Sequence, residues 1–207
     1  MGENALAQHQ YREALDHYQR ALELNPRYEI AAIGMGQAAL EGGDPAGAAK
    51  AFQRALDLNP HNYLLKLALA RAYEKLNRFP DAVDLEKEVL ASHPEDGKAN
   101  SDYGVTLVRM RQYQDGLAAL QKAVQQGYRT AVTYNFMGTA QLATGNTEEA
   151  VRAYEGAIHL DVKYSAPYGN LALLYIRAGQ DDKAHQYYRE ACRLDTVLCQ
   201  ELAPRFR

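Results

Sequence analysis

Apolar residues recur at intervals of three and four along the chain, as in Leu65, Leu69 and Tyr73 and then Val83, Val89 and Leu90. That period puts them on one face of an α-helix. The helical stretches are separated by short breaks at Gly42-Gly43-Asp44-Pro45, Asn77, Gly145-Asn146 and Gly179-Gln180. Gly or Asn at such a break can take the left-handed conformation that closes a helix, and Asp44 or Asn146 can cap the next one. Glu149, three residues after Asn146, reinforces that start signal. The pattern predicts helical hairpins. They also repeat: Asn25-Pro26, Asn59-Pro60 and His93-Pro94 lie 34 residues apart, each after a segment like Arg20-Ala21-Leu22-Glu23-Leu24. Steps of 34 with no insertion or deletion align Ala14, Ala48, Ala82, Gly116, Ala150 and Ala184, and then Ala21, Ala55, Val89, Ala123, Ala157 and Ala191.

With positions numbered inside each unit, Met35 and Gly36 fill positions 7 and 8, Ala48 position 20, Phe52 position 24, Ala55 position 27 and Pro60 position 32. Later units answer with Tyr134, Met137, Gly138, Ala150, Tyr154 and Ala157, and with Tyr168, Leu171, Ala172, Tyr175, Ala184, Tyr188 and Ala191. On these residues the whole chain resembles the tetratricopeptide repeat (TPR) family, in its plain, alanine-rich bacterial form. The resemblance implies an all-α TPR α-solenoid, a right-handed superhelix of antiparallel helix pairs whose first (A) helices line the inner face. It implies one array over residues 1–207: a partial repeat at 1–28, full repeats at 29–62, 63–96, 97–130, 131–164 and 165–198, and a short C-terminal tail at 199–207. Solenoid ends require a polar cap. The incomplete first unit therefore leads us to expect a longer native protein or self-association through an exposed array end.

Two antiparallel helices joined by a short turn pair positions of constant sum. The small residues at positions 8 and 20 set that sum at 28 and predict close crossings at Gly36/Ala48, Ala70/Ala82, Gly104/Gly116, Gly138/Ala150 and Ala172/Ala184. The same rule pairs position 4 with 24, giving Tyr134/Tyr154, Tyr168/Tyr188 and, with charge in place of bulk, Lys66/Glu86. The last two are expected to form a compensating ion pair, because a lone charge at a buried position carries a large desolvation cost. The unit at 97–130 departs most from the pattern, with Gly116, Leu120 and Gln126-Gly127-Tyr128, and is a candidate for a bend. Most tyrosines fall on repeat core positions, with Tyr28, Tyr63, Tyr128 and Tyr164 at junctions between units.

Carried over residue by residue, the family's inner-face positions select Ile30, Ile33, Gln37 and Leu40, then Leu64, Leu67, Arg71 and Glu74. They go on to Lys98, Ser101, Val105 and Arg109, then Val132, Asn135, Thr139 and Leu142, and end at Leu173, Ile176 and Arg177. Asp102 and Asn170 occupy position 6, where relatives that bind extended peptides often place Asn. Ile30, Ile33, Leu64 and Leu67 form either an exposed apolar patch for a partner or a surface covered by a neighbouring repeat. Arg71, Lys98, Arg109 and Arg177 suit an acidic partner segment. The Lys and Asn of the family's carboxylate clamp are absent from positions 5 and 9, which argues against a chaperone-adaptor role. The resemblance thus implies a non-catalytic scaffold that binds a protein or peptide in its concave groove, in a bacterial assembly, secretion or pilus system. The alternative is a regulatory or substrate-recruiting segment of a larger enzyme.

Composition changes this picture little. Lys+Arg 23 against Asp+Glu 26 gives a net charge of -3 and no basic patch for nucleic acid. No segment approaches the length needed to insert into a membrane. The six histidines occupy unrelated repeat positions, none three or four residues from another, so no metal site is expected. No nucleophile set or phosphate loop is visible, and no cofactor is expected. Cys192, at a position otherwise held by Leu22, Leu56, Leu90, Val124 and Ile158, reads as a small buried hydrophobe. One continuous helix would hold it about 10.5 Å from Cys199, whereas a turn at Asp195-Thr196 would let the two form a disulfide and favour an exported compartment. Localisation stays open.

Overall fold

A computed structural model describes residues 2–206; Met1 and Arg207, the outermost residues of the expected array, lie outside the described residues. The described residues form two compact units, one up to Pro94 and one from Glu95. The first holds α1 (Gly2–Ala7), α2 (Tyr11–Leu24), α3 (Glu29–Glu41), α4 (Pro45–Leu58), α5 (Tyr63–Lys75) and α6 (Phe79–Ser92). The second holds α7 (Gly97–Arg109), α8 (Tyr113–Gln125), α9 (Ala131–Ala143), α10 (Thr147–Leu160), α11 (Ser165–Arg177), α12 (Asp181–Leu194) and α13 (Thr196–Leu202), then a 3₁₀ turn at Ala203–Arg205. The fold is all-α, and within each unit consecutive helices pack as antiparallel hairpins stacked side by side.

The 34-residue step appears directly in the helix ends. The five full A helices all begin at position 1 and end at position 13. Between the helices of each pair, position 15 is left-handed six times: His9, Gly43, Asn77, Arg111, Gly145 and Gly179, with φ from 57° to 88°. In each turn the N–H of position 16 donates to the carbonyl of position 11, for example Asp44 to Ala39 at 2.8 Å and Gln112 to Leu107 at 2.9 Å. This closure satisfies carbonyls that the helix end leaves without partners. Asp44 then caps α4, accepting from the Gly47 N–H at 2.8 Å. The expected cap at Asn146 does not form, because its side chain turns back to donate to Thr144 at 3.2 Å.

All ten residues of the five small pairs are buried. At Gly104 a Cβ would sit 3.0 Å from the Gly116 carbonyl oxygen, and at Gly138 3.1 Å from that of Ala150. Close packing therefore accounts for Gly116. The irregularity of its unit is confined to the end of α8, which stops one residue early and closes through Gly127 at φ +87°.

Backbone crossings obey the constant-sum rule, but the side chains one turn away are displaced from it. A helical side chain leans toward its own N-terminus, so in an antiparallel pair the two partners lean past each other. The position-24 rings of Phe52 and Tyr154 lie on Gly36 and Gly138, both at position 8. From the other side, Tyr134 at position 4 lies against Gly156 at position 26. The same displacement brings Lys66 to Glu88, at position 26, with Nζ–Oε2 2.6 Å, where the constant-sum rule pairs it with Glu86. Glu86 is wholly buried, whereas Glu88 sits at the water-facing edge, where the long lysine stem can deliver its charge.

Cys192 is not a lone buried hydrophobe. Asp195 ends α12 and caps α13, accepting from Val197 and Leu198 at 2.9 and 3.0 Å, and the chain reversal brings Cys199 into a disulfide with Cys192. Leu202 is buried, and Leu198 and Leu202 come close over Gly169. The Phe206 ring stacks on Tyr188 with centroids 4.3 Å apart.

The close crossing and the disulfide can each be tested. Gly138→Ala gains about 1 kcal/mol of helix propensity, yet its Cβ would meet the Tyr154 ring at 2.8 Å. We expect a net loss of about 1–3 kcal/mol in urea unfolding, and a variant as stable as the parent would refute the close crossing. Under denaturing conditions, iodoacetamide should label neither cysteine until reductant is added; labelling of untreated protein would refute the disulfide.

Candidate functional site

The residues available for a partner are those of the A helices that packing leaves uncovered. Position 2 is the outermost row: Ile30, Leu64 and Val132 are 55%, 60% and 45% exposed. Position 5 is the opposite. Leu67 and Asn135 are buried and Ile33 is half-buried, so Leu67 and Ile33 do not join Ile30 and Leu64 in one exposed apolar patch. In the second unit the cause is visible, since successive A helices stack through this row. The Ser101 and Thr133 hydroxyls lie 2.9 Å apart across α7 and α9, and Asn170 of α11 donates to Asn135 of α9 at 3.0 Å. Stacking consumes a stripe of every A helix that resembles, in sequence, a groove-facing stripe.

In the first unit, the structure brings Ile30, Ile33 and Gln37 together around an open cleft of about 490 Å³. Its other wall comes from Glu3, Leu6 and Ala7 of α1, at positions 9, 12 and 13 of the partial unit, which the inner-face positions of the full repeats do not include. The helical stub is part of the surface, and the 34-residue register is the signal that could have selected it. Leu64 and Arg71 are exposed on α5.

In the second unit, Lys98 and Asp102 neutralise each other one turn apart on α7, Nζ–Oδ2 2.5 Å. Arg109 and Arg177 are exposed at the ends of α7 and α11. The Arg109 guanidinium lies over the Phe136 ring of α9, 5.5 Å from its centroid. Beside it runs a short polar chain: Asn170 donates to Asn135, and Asn135 donates to the Tyr164 hydroxyl at 3.3 Å. Tyr164 immediately precedes α11, at the position where Asn62, Asp96 and Thr130 cap other A helices. Its sequence position suggests a packing aromatic at a junction, which hides its hydrogen bond to Asn135. Thr139 is turned inward, donating to the Asn135 carbonyl at 3.1 Å and accepting from Tyr154 at 3.3 Å.

Burial holds the Tyr164 phenol above its ordinary value of 10.0, an effect that the Arg109 charge and the Asn135 bond partly offset. Burial likewise raises Tyr154, against a smaller opposing effect of its bond to Thr139. Among the described residues, no group of three or more His, Cys, Asp or Glu could hold a metal ion. No described helix is long and apolar enough to cross a membrane. The arrangement offers apolar contacts, guanidinium groups and side-chain amides, which is chemistry for binding.

The tetratricopeptide repeat family model matches residues 1–63, 33–97, 67–127 and 137–196. Among solved structures, the chain is similar to one in the Cut9-Hcn1 hetero-tetramer of the APC/C, with 19% identity and a TM-score of 0.86 over 99% of this chain and 41% of that one. It therefore spans well under half the length of that relative. It is also similar to pilF of Pseudomonas aeruginosa, with 15% identity and a TM-score of 0.78 over 98% and 93% of the two chains. A third likeness is to YrrB, described as a TPR protein with an unusual peptide-binding site, with 19% identity and a TM-score of 0.62 over 90% and 97%. At these identities the likenesses show the fold. No curated protein matches the chain.

The buried phenols give a pH prediction. Both folded values lie above the ordinary 10.0, so the native state keeps its protons where the unfolded chain loses them. Their contribution is complete below about pH 10 and is lost as pH rises from there through the raised folded values. Tyr154→Phe should flatten the decline of unfolding free energy between about pH 9 and 11. An unchanged slope in urea titrations across that range would contradict a buried, neutral Tyr154.

Proposed function

This chain belongs to the tetratricopeptide repeat family, and from that premise we propose that it is a non-catalytic scaffold whose A-helix surfaces bind an extended peptide segment of a partner protein. The observation that carries the proposal is the row of exposed apolar side chains at position 2, Ile30, Leu64 and Val132. About half of each remains open to water, and recurring exposed apolar residues on a repeat surface mark a contact for a partner. Side-chain amides and guanidinium groups beside them supply hydrogen bonds to peptide groups, the usual complement to a few apolar anchors. The peptide-binding site described for YrrB supports a peptide as ligand, and the similarity to pilF of Pseudomonas aeruginosa supports a bacterial setting. The Cys192–Cys199 bond favours an oxidising compartment.

The test separates binding from folding. Ile30→Asp with Leu64→Asp alters only exposed side chains, so helical circular dichroism should be retained while recovery of peptides from a soluble random library falls by at least about tenfold. Leu67→Asp places a charge at a buried position and should instead cost the fold. Undiminished peptide recovery by the folded Ile30/Leu64 double variant would overturn the proposal.

A further inference from the structure

Charge on the A helices of the second unit is distributed unlike that on its B helices. In α7, α9 and α11 the only charged side chains are Lys98, Asp102, Arg109 and Arg177, and the first two neutralise each other. What remains is positive, on a chain whose net charge is -3. Two arginines of the B helices pair locally, Arg152 with Glu148 and Glu149 on α10 and Arg193 with Glu190 on α12, and the remaining Arg189 stands next to Glu190 in sequence. Arg109 makes no such ion pair among the described residues, and its guanidinium is steadied over the Phe136 ring.

The groups around Arg109 are also set to donate. In the chain from Asn170 to Asn135 to Tyr164, the Tyr164 oxygen accepts, so its own O–H remains available for a further acceptor. Arg109 lies over Phe136 and the Tyr164 hydroxyl bonds to the neighbouring Asn135, so the two groups meet α9 at adjacent residues. A guanidinium, a phenolic donor and a partly buried amide favour a carboxylate, which accepts charge-assisted hydrogen bonds from the first two. Arg177 recurs at the same repeat position two A helices further on, with the uncharged α9 between. A segment that runs on past Arg109 can meet a second cation there, which favours acidic side chains within a segment over a single chain terminus.

We propose that the second unit recognises an extended peptide through an internal Asp or Glu side chain held by Arg109 and Tyr164, with Asn170 bonding to the adjoining peptide group. This rests on the scaffold reading above and names the chemistry of its partner.

The full chain, as wild type, Arg109→Gln, Arg109→Glu and the Ile30/Leu64 double Asp variant, is immobilised and offered two random peptide libraries, one with amidated and one with free C-termini. Retained peptides are sequenced, and circular dichroism checks each variant. The wild type should enrich Asp and Glu in the amidated library. Arg109→Gln should reduce that enrichment by at least about fivefold, and Arg109→Glu should shift it toward Lys and Arg. Retention without acidic preference, an acidic preference unchanged in Arg109→Gln, or retention confined to free C-termini would each overturn this inference while leaving peptide binding intact. If the wild type retains no peptide from either library, the scaffold reading falls with it.

Discussion

The fold depends on how closely two helix backbones approach at positions 8 and 20. Where Gly104 faces Gly116 there is no room for a side-chain carbon between one helix and the carbonyls of the other. That closeness locks the relative height of the two helices, and everything attached to them inherits it. Phe52 and Tyr154 can lie flat on Gly36 and Gly138 only because no side chain stands there. The near absence of large residues at the crossing thus organises the large residues around it. Interiors packed this tightly resist change in either direction of volume.

Backbone register was legible in the sequence because it is written in residue size at a fixed spacing. Helix ends were legible where Gly or Asn supplied the left-handed turn, as at Gly43 and Asn77, but not at His9 and Arg111, which take the same conformation under the same closing bonds. The hairpin imposes the turn there despite the residue. The constant-sum rule treats side chains as perpendicular to the helix, whereas they lean along it. That lean brings Lys66 to Glu88 and Tyr134 to Gly156, one geometric cause with two results. Cys192 was open to two readings in sequence because the choice hung on a chain reversal at Asp195, which spacing alone does not decide.

The candidate surface was legible as a set of positions and not as a set of exposures. An A helix has one face toward its B partner, one toward the next A helix and one toward water, and a repeat alignment merges the last two. Leu67 and Ile30 are both large aliphatic residues on A helices, yet one is buried and the other open. In the second unit, hydroxyls and amides occupy the row between A helices, and that row does two things at once. Asn135 ties α9 to α11 through Asn170 and also orients the Tyr164 hydroxyl. Stacking and the proposed recognition would share a residue there, and the rigidity of the stack would preorganise that site.

The bond between Cys192 and Cys199 alters how this part of the molecule responds to pulling. Repeat arrays fray by shedding terminal elements, each at low local cost. With α13 tethered to α12, tension applied beyond Cys199 bypasses the intervening turn and passes through the sulfurs to the preceding helix. The first turn of α13 cannot part from α12 while the bond is intact, so its separation requires disturbing the core around Tyr168 and Ala191. The short helix α13 thereby shares the fate of the helix before it, for as long as its surroundings stay oxidising.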